Sequence, residues 1–261
     1  MSDGEFQEYD DSMMAVLEAI WGEGFMSPGG VNEVDRYLEG ISLAGLSVLD
    51  IGCGLGGVDL HLVRAHGARQ VTGIDIDTTL IERCNALAQR YQRSDRLEFT
   101  CVEPGPLPFD DASFDIVTSK DSIIHIADKH ALAAEAFRVL KAGGWFVASD
   151  WLAGHDGEPS AEMQAYVAAE GLDFGLASAD TYADALRSAG FTDIGIVDRN
   201  AWYRELAREE RDRLACPLRD DLVSQVGDEF FENQIDVWNK MIVALDQGEL
   251  RPTHLRGRKP D

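Results

Sequence analysis

The residues able to do chemistry in this chain fall into two short stretches. The first is Asp50-Ile51-Gly52-Cys53-Gly54-Leu55-Gly56-Gly57, an acid followed by four glycines within six residues. Glycines let a backbone approach a ligand closely, because no Cβ intervenes and positive φ costs little. A second acid, Asp75, closes the next apolar run, where a carboxylate can accept both hydroxyls of a ribose. The second stretch is Thr118-Ser119-Lys120-Asp121-Ser122-Ile123-Ile124-His125-Ile126-Ala127-Asp128-Lys129. Asp121 and His125 stand at i and i+4, which on a helical turn places both on one face. A carboxylate beside an imidazole can fix its tautomer and support it as a base or hydrogen-bond acceptor.

These side chains need a scaffold, and the hydrophobic pattern supplies one. Leu46 to Ile51 is a short apolar run of the kind that makes a buried strand, and Val58 to Arg64 is an amphipathic helix directly after the glycines. The alternation continues with strands at Gln70–Ile76, Arg96–Val102, Phe114–Thr118 and Trp145–Ser149, and a sixth at Phe191–Asp198. Helices fall at Thr79–Gln92, capped by Asp77 or Thr78, at Ala131–Leu140 and at Tyr182–Ala189. Lys141-Ala142-Gly143-Gly144 is expected to end a helix. Alternating strands and helices imply an α/β architecture with a mostly parallel sheet. Three parts lie outside the alternation: an N-terminal helix with the glycine-rich segment Trp21–Gly30, an insertion at Asp150–Ala179, and a helical stretch at Trp202–Asp246.

The chain has 261 residues, enough for one α/β domain with a lid, read here as 1–45, 46–150 and 151–261 of a single unit. Its formal net charge of -24 argues against nucleic acid as a partner, since a phosphate-binding face needs surplus Lys and Arg. The acidity suits a cationic substrate, and equally a salt-tolerant surface. No run reaches the length of a membrane span, and the acidic N-terminus lacks the features of a signal peptide. The four cysteines have neither disulfide nor metal-ligand spacing, so the expectation is a cytoplasmic protein with reduced thiols and no metal.

The glycine turn taken with Asp75 resembles the cofactor signature of class I S-adenosylmethionine-dependent methyltransferases. The match extends to Leu49–Gly57, Trp21–Gly30 and Ser119–Lys129, and covers about residues 9 to 151. Over these segments the chain resembles phosphoethanolamine N-methyltransferases and the enzymes that methylate glycine, sarcosine and dimethylglycine. The resemblance implies a Rossmann-like, doubly wound, mostly parallel seven-stranded sheet with an N-terminal helical lid and a helical insertion after strand five. It implies S-adenosyl-L-methionine as cofactor and S-adenosyl-L-homocysteine as product. Asp50, Gly52 and Gly54 would face the methionine portion, Asp75 with Ile76 the ribose, and Glu103 the adenine amino group. Met26 and Ser27 would be lid contacts, with Lys120 also on the cofactor side. Tyr9 and His125 would form the catalytic pair, oriented by Asp121.

The same comparison exposes departures. Phosphoethanolamine enzymes carry a tyrosine after the fifth strand and later an arginine and a tyrosine on the phosphate. Here the positions read Trp151 and Gly171-Leu172-Asp173-Phe174, without arginine. Acids at Glu170 and Asp173 would repel a phosphate, so phosphoethanolamine is not the expected acceptor. Trp151, Phe174 and Trp202 suit an alkylammonium or sulfonium group. An amino-acid carboxylate would need a cation, for which Arg251 ranks ahead of Lys120, Arg256 and His254. The expected partner is therefore a small-molecule amine, met by a monomer or homodimer. Two alternatives stay open: a C- or O-methyltransferase of a quinone- or lipid-like molecule, and a non-catalytic cofactor-binding protein.

Overall fold

The computed structural model describes residues 10–172 and 174–261. Strand β1 (Ser47–Ile51) is buried at every position and lies between β2 (Gln70–Asp75) and β4 (Phe114–Lys120). With β3 (Leu97–Cys101), β5 (Leu140–Ala153), β6 (Thr192–Asp198) and β7 (Leu250–Arg258) they form a seven-stranded sheet of order β3-β2-β1-β4-β5-β7-β6. Strands β1 to β5 pair in parallel, and β7 is antiparallel to both β5 and β6. The chain leaves β1 towards β2 on one side and returns as β4 on the other. Such a reversal opens a crevice at the carboxyl ends of the two strands. Asp50 and Asp121 lie at those ends.

Helices cover both faces. Helices α2 (Gly30–Tyr37), α3 (Gly57–Arg64) and α4 (Thr78–Arg90) bury Val34, Leu62 and Cys84 against one face of the sheet. Asp77 caps α4 by accepting from Thr79 N at 2.7 Å. Helices α5 (Lys129–Val139) and α7 (Ala179–Ala189) bury Leu132, Ala136 and Leu186 against the other face. A third apolar cluster lies over the crevice. It joins α1 (Asp11–Trp21), α6 (Ala161–Glu170), α8 (Asn200–Ala215), α9 (Arg219–Val226) and α10 (Asp228–Gln247) through Leu17, Tyr166, Tyr203, Leu222 and Trp238. The expected helical stretch 202–246 is thus three helices.

Two sequence expectations are corrected. Lys141–Gly144 is no helix-ending turn: α5 stops at Val139, and Leu140, with ψ of 140°, leads straight into β5. Leu140 pairs with Phe114, and an irregularity before Ile116 absorbs the extra residues. The segment after Gly248, which carries Arg251 and is not among the expected strands, is strand β7, paired with Trp145–Ala153 along its whole length. Its sequence, Leu-Arg-Pro-Thr-His-Leu-Arg-Gly-Arg, has no apolar run, because Thr253 and His254 are buried polar positions. Periodicity could not reveal it.

Candidate active site

The glycine turn has the shape of a cradle. Gly52 sits at φ +74°, and a Cβ there would come 1.7 Å from Ser122 Oγ of the β4 loop. The lid segment docks on the same turn: Gly57 N donates to Gly24 O at 3.0 Å, and a Cβ on Gly24 would fall 2.8 Å from Gly57 Cα. Only glycine permits so close a crossing of two backbones. Asp75 braces the turn, accepting from Gly54 N at 3.0 Å and from Asp77 N at 3.1 Å. Ile76, 59% exposed, lies beside it, and Glu103 is exposed just past β3.

The acid at the head of the turn lacks a full set of partners. Among the described residues, Asp50 Oδ1 and both carboxylate oxygens of Asp59 are buried with no donor except each other's carboxyl group. Burial and mutual repulsion hold Asp50 well above the usual carboxylate range, and burial pushes Asp59 up to about 7. A buried acceptor left unmatched costs about 1–3 kcal/mol, so the arrangement suits a ligand that brings a donor or a cation. The amino group of S-adenosylmethionine is such a group. The bare turn, the buried Asp50 carboxyl with Asp59 as its side-chain neighbour, and exposed Ile76 therefore fit this cofactor.

Beside the cradle a small, partly open cavity is lined by Met26, Ser27, Asp121, His125, Trp151, Tyr166, Glu170 and Phe174, with Trp21, Tyr203 and Trp238 on its walls. The rings of His125 and Phe174 lie 5.6 Å apart, and those of Phe174 and Tyr166 6.3 Å apart. Burial pushes the Glu170 carboxyl up to about 7. Asp121 reaches the cavity by a route the i, i+4 reading missed. It has φ +57°, outside any helix, and a 3-10 turn begins only at Ile123. A non-glycine residue in this region carries strain of about 1–3 kcal/mol, held here by Asp121 N donating to Ser149 O at 2.7 Å.

Several buried polar groups fix these positions. Lys120 Nζ donates to Ser27 Oγ, Pro28 O and Asp121 Oδ2, each at 2.8 Å. Its three protons are thereby used in tying the lid segment to the end of β4. The turn carrying His125 rests on Lys129 Nζ, which donates to Ile123 O at 2.7 Å, and on Asp150, which accepts from Ile124 N at 3.0 Å and from Tyr182. Burial lowers the Lys129 ammonium to about 8 and raises Asp150 to about 7. Glu210 anchors the lid tryptophan, accepting from Trp21 Nε1 at 2.7 Å and Tyr203 OH at 2.9 Å.

The crevice brings together Asp50, Gly52, Gly54, Asp75 and Met26 around the turn, with a Gly54 Cβ falling 3.0 Å from Met26 Sδ. Asp121, His125, Trp151 and Phe174 share the neighbouring cavity. Tyr9 lies outside the described residues. Trp202 stands elsewhere, its ring under the Arg199 guanidinium at 4.5 Å and against Gly29. Arg251 pairs with Asp198 on the exposed rim of the sheet, and His254 Nε2 lies 2.6 Å from Glu33. Arg256 lines a separate cavity with Arg36 and Arg199. Sequence reading missed Tyr166, Trp238, Asp150 and Lys129. Asp128 and Lys129 close the loop in sequence, but nothing in their spacing shows a lysine turning back onto carbonyls.

The methyltransferase domain family matches residues 49–148. A phosphoethanolamine N-methyltransferase of Triticum aestivum is 31% identical over 261 residues, covering 95% of this chain and 49% of that protein. The phosphoethanolamine N-methyltransferase of Plasmodium falciparum is 27% identical, covering 91% of this chain and 88% of its own length. The chain therefore spans about half the length of the plant relative it matches. Among solved structures, phosphoethanolamine N-methyltransferase 2 of Haemonchus contortus, in complex with phosphomonomethylethanolamine and S-adenosylhomocysteine, superposes with a TM-score of 0.90 at 24% identity. The match covers 98% of this chain and 59% of that one. The match to the methyltransferase domain family covers residues 49–148, and the fold of the chain is the one seen in this phosphoethanolamine N-methyltransferase structure.

Proposed function

We propose that the chain is an S-adenosylmethionine-dependent methyltransferase acting on the nitrogen of a small amine that carries no phosphate. One observation supports this acceptor: the cavity has Asp121 and Glu170 among aromatic rings, and no Lys or Arg among its described lining residues. When bound, S-adenosylmethionine supplies an electrophilic methyl group on a positively charged sulfur. Asp50, Gly52, Gly54, Asp75, Ile76 and Glu103 would hold that cofactor, under Met26 and Ser27. The acceptor nitrogen must attack as a neutral amine with its lone pair aimed at the methyl carbon. His125 accepts the proton the nitrogen gives up, and Tyr9 keeps the partner role implied by the resemblance. Positive charge grows on the nitrogen as it is alkylated. Trp151, Phe174, Tyr166 and the carboxylates favour that charge through ring faces and Coulomb attraction. The remaining rate gain comes from positioning and exclusion of water under the lid.

The similarity to phosphoethanolamine N-methyltransferases favours phosphoethanolamine as a second reading. A phosphate, however, wants a guanidinium or ammonium group free to bind it, and here the Lys120 ammonium is spent on Ser27, Pro28 and Asp121 while Glu170 lines the cavity. The same acid groups disfavour an apolar quinone- or lipid-like acceptor. Methyl transfer to ethanolamine, glycine, sarcosine, dimethylglycine and phosphoethanolamine, measured side by side, tests the reading. Turnover of one or more unphosphorylated amines is expected, and turnover of phosphoethanolamine alone overturns it. The proposed setting is the cytoplasm, as a monomer or homodimer. All four cysteines are free thiols, and no described helix is long and apolar enough to cross a membrane.

A further inference from the structure

On the face of α2 and α3 remote from the sheet, three metal-type ligands converge. Asp35 Oδ1 lies 2.6 Å from His61 Nε2 and 2.8 Å from His66 Nε2. All three ligand atoms fall within 4.8 Å of one another. His61 is on the last turn of α3, and His66 is in the turn after it, so the two imidazoles approach one carboxylate oxygen from different backbone segments. Their rings stand edge to face, 5.2 Å apart. At these separations each imidazole can donate a hydrogen bond to the same carboxylate oxygen, whose two lone pairs accept both. A divalent ion replaces both protons and uses a lone pair from each of the three groups.

We propose that Asp35, His61 and His66 form a transition-metal site suited to Zn²⁺. Two imidazoles and a carboxylate are ligands that Zn²⁺ accepts, with the fourth tetrahedral position left to water. Access is open from one side only: the Asp35 side chain is 54% exposed, while those of His61 and His66 are 15% and 21% exposed. The ion's role is to clamp two helices. Helix α2 follows the lid segment and α3 starts at Gly57, where Gly24 and Gly57 cross. A metal joining α2 to the C-terminal end of α3 therefore braces the lid from outside the site, without touching either ligand of the reaction.

The test uses the full chain, free of any affinity tag and stripped by chelator. Zn²⁺ is titrated calorimetrically, and Co²⁺ is followed by its visible ligand-field absorption. One ion per chain is expected, with a tetrahedral-type Co²⁺ band and a higher unfolding temperature in Zn²⁺. His66→Gln and Asp35→Asn should each weaken binding by at least about 10- to 100-fold, the range already seen for residues that merely support a ligand. Asp35→Asn keeps a hydrogen-bond acceptor, so its loss of binding separates metal ligation from simple imidazole pairing. Both substitutions lie on partly exposed positions, and unfolding without metal checks that each variant folds. Absence of saturable stoichiometric binding by the wild-type chain overturns the proposal. Binding unchanged in both variants does so too.

Discussion

The donor cradle and the acceptor cavity lie side by side but are built in opposite ways. The cradle is continuous in sequence: Asp50 to Gly57 and Asp75 belong to one strand–helix–strand unit, and much of its shape is backbone. The cavity draws side chains from α1, the lid segment, the ends of β4 and β5, α6, α8 and α10. Backbone recognition needs a few glycines at fixed spacing and tolerates change elsewhere. Side-chain recognition is assembled from distant elements, so one fold can hold its donor constant while its acceptor varies.

The comparison can be broken by separating the two halves experimentally. The largest effect is expected from His125→Ala: turnover should fall about 10²- to 10⁴-fold, with affinity for S-adenosylhomocysteine nearly unchanged. Next comes Gly52→Ala, whose Cβ has no room beside Ser122. Strain of about 1–3 kcal/mol translates into roughly 5- to 150-fold weaker S-adenosylhomocysteine binding by calorimetry. Adding Ser122→Gly should recover part of that loss, and no recovery would mean that the φ of Gly52, rather than the contact, sets the cost.

A pH effect belongs to the cavity side. Glu170 ionises near 4.5 in the unfolded chain but is held at about 7 when folded, so the native state keeps an extra proton between those values. Its contribution to stability is present below 4.5 and is lost as pH rises through about 7. Glu170→Gln should flatten the fall in unfolding temperature across that window. It should also raise the KM of the amine acceptor while leaving donor binding alone. The smallest effect is expected from Met26→Ala, which removes thioether cover from Gly54. Donor affinity should drop about two- to fivefold, consistent with roughly 0.5–1 kcal/mol of apolar contact.

The contrast also explains what the sequence could reveal. Val48–Ile51 followed by glycines is local information, so strand, turn and helix were readable together with Asp50 and Asp75. Asp121 was readable as a candidate, but its left-handed backbone was not, because that conformation is held by Ser149 of the neighbouring strand. Strand β7 hid behind buried Thr253 and His254, which complete their hydrogen bonding through Arg251 O and Glu33. Trp151 and Phe174 reach the cavity, whereas Trp202 stacks beneath Arg199 instead. That choice depends on how α8 packs against the lid, a contact far away in sequence. The Asp35–His61–His66 grouping is likewise invisible to cysteine spacing, because Asp35 comes from α2 and the histidines from α3 and the turn after it.

The most direct measurement is calorimetric titration of S-adenosylhomocysteine into the wild-type and His125→Ala chains in parallel. One saturable site of nearly equal affinity in both proteins is the predicted result, with methyl transfer lost only in the variant. No binding by the wild-type chain, or a loss of binding in His125→Ala that matches its loss of turnover, would contradict a donor cradle that stands independent of the acceptor chemistry.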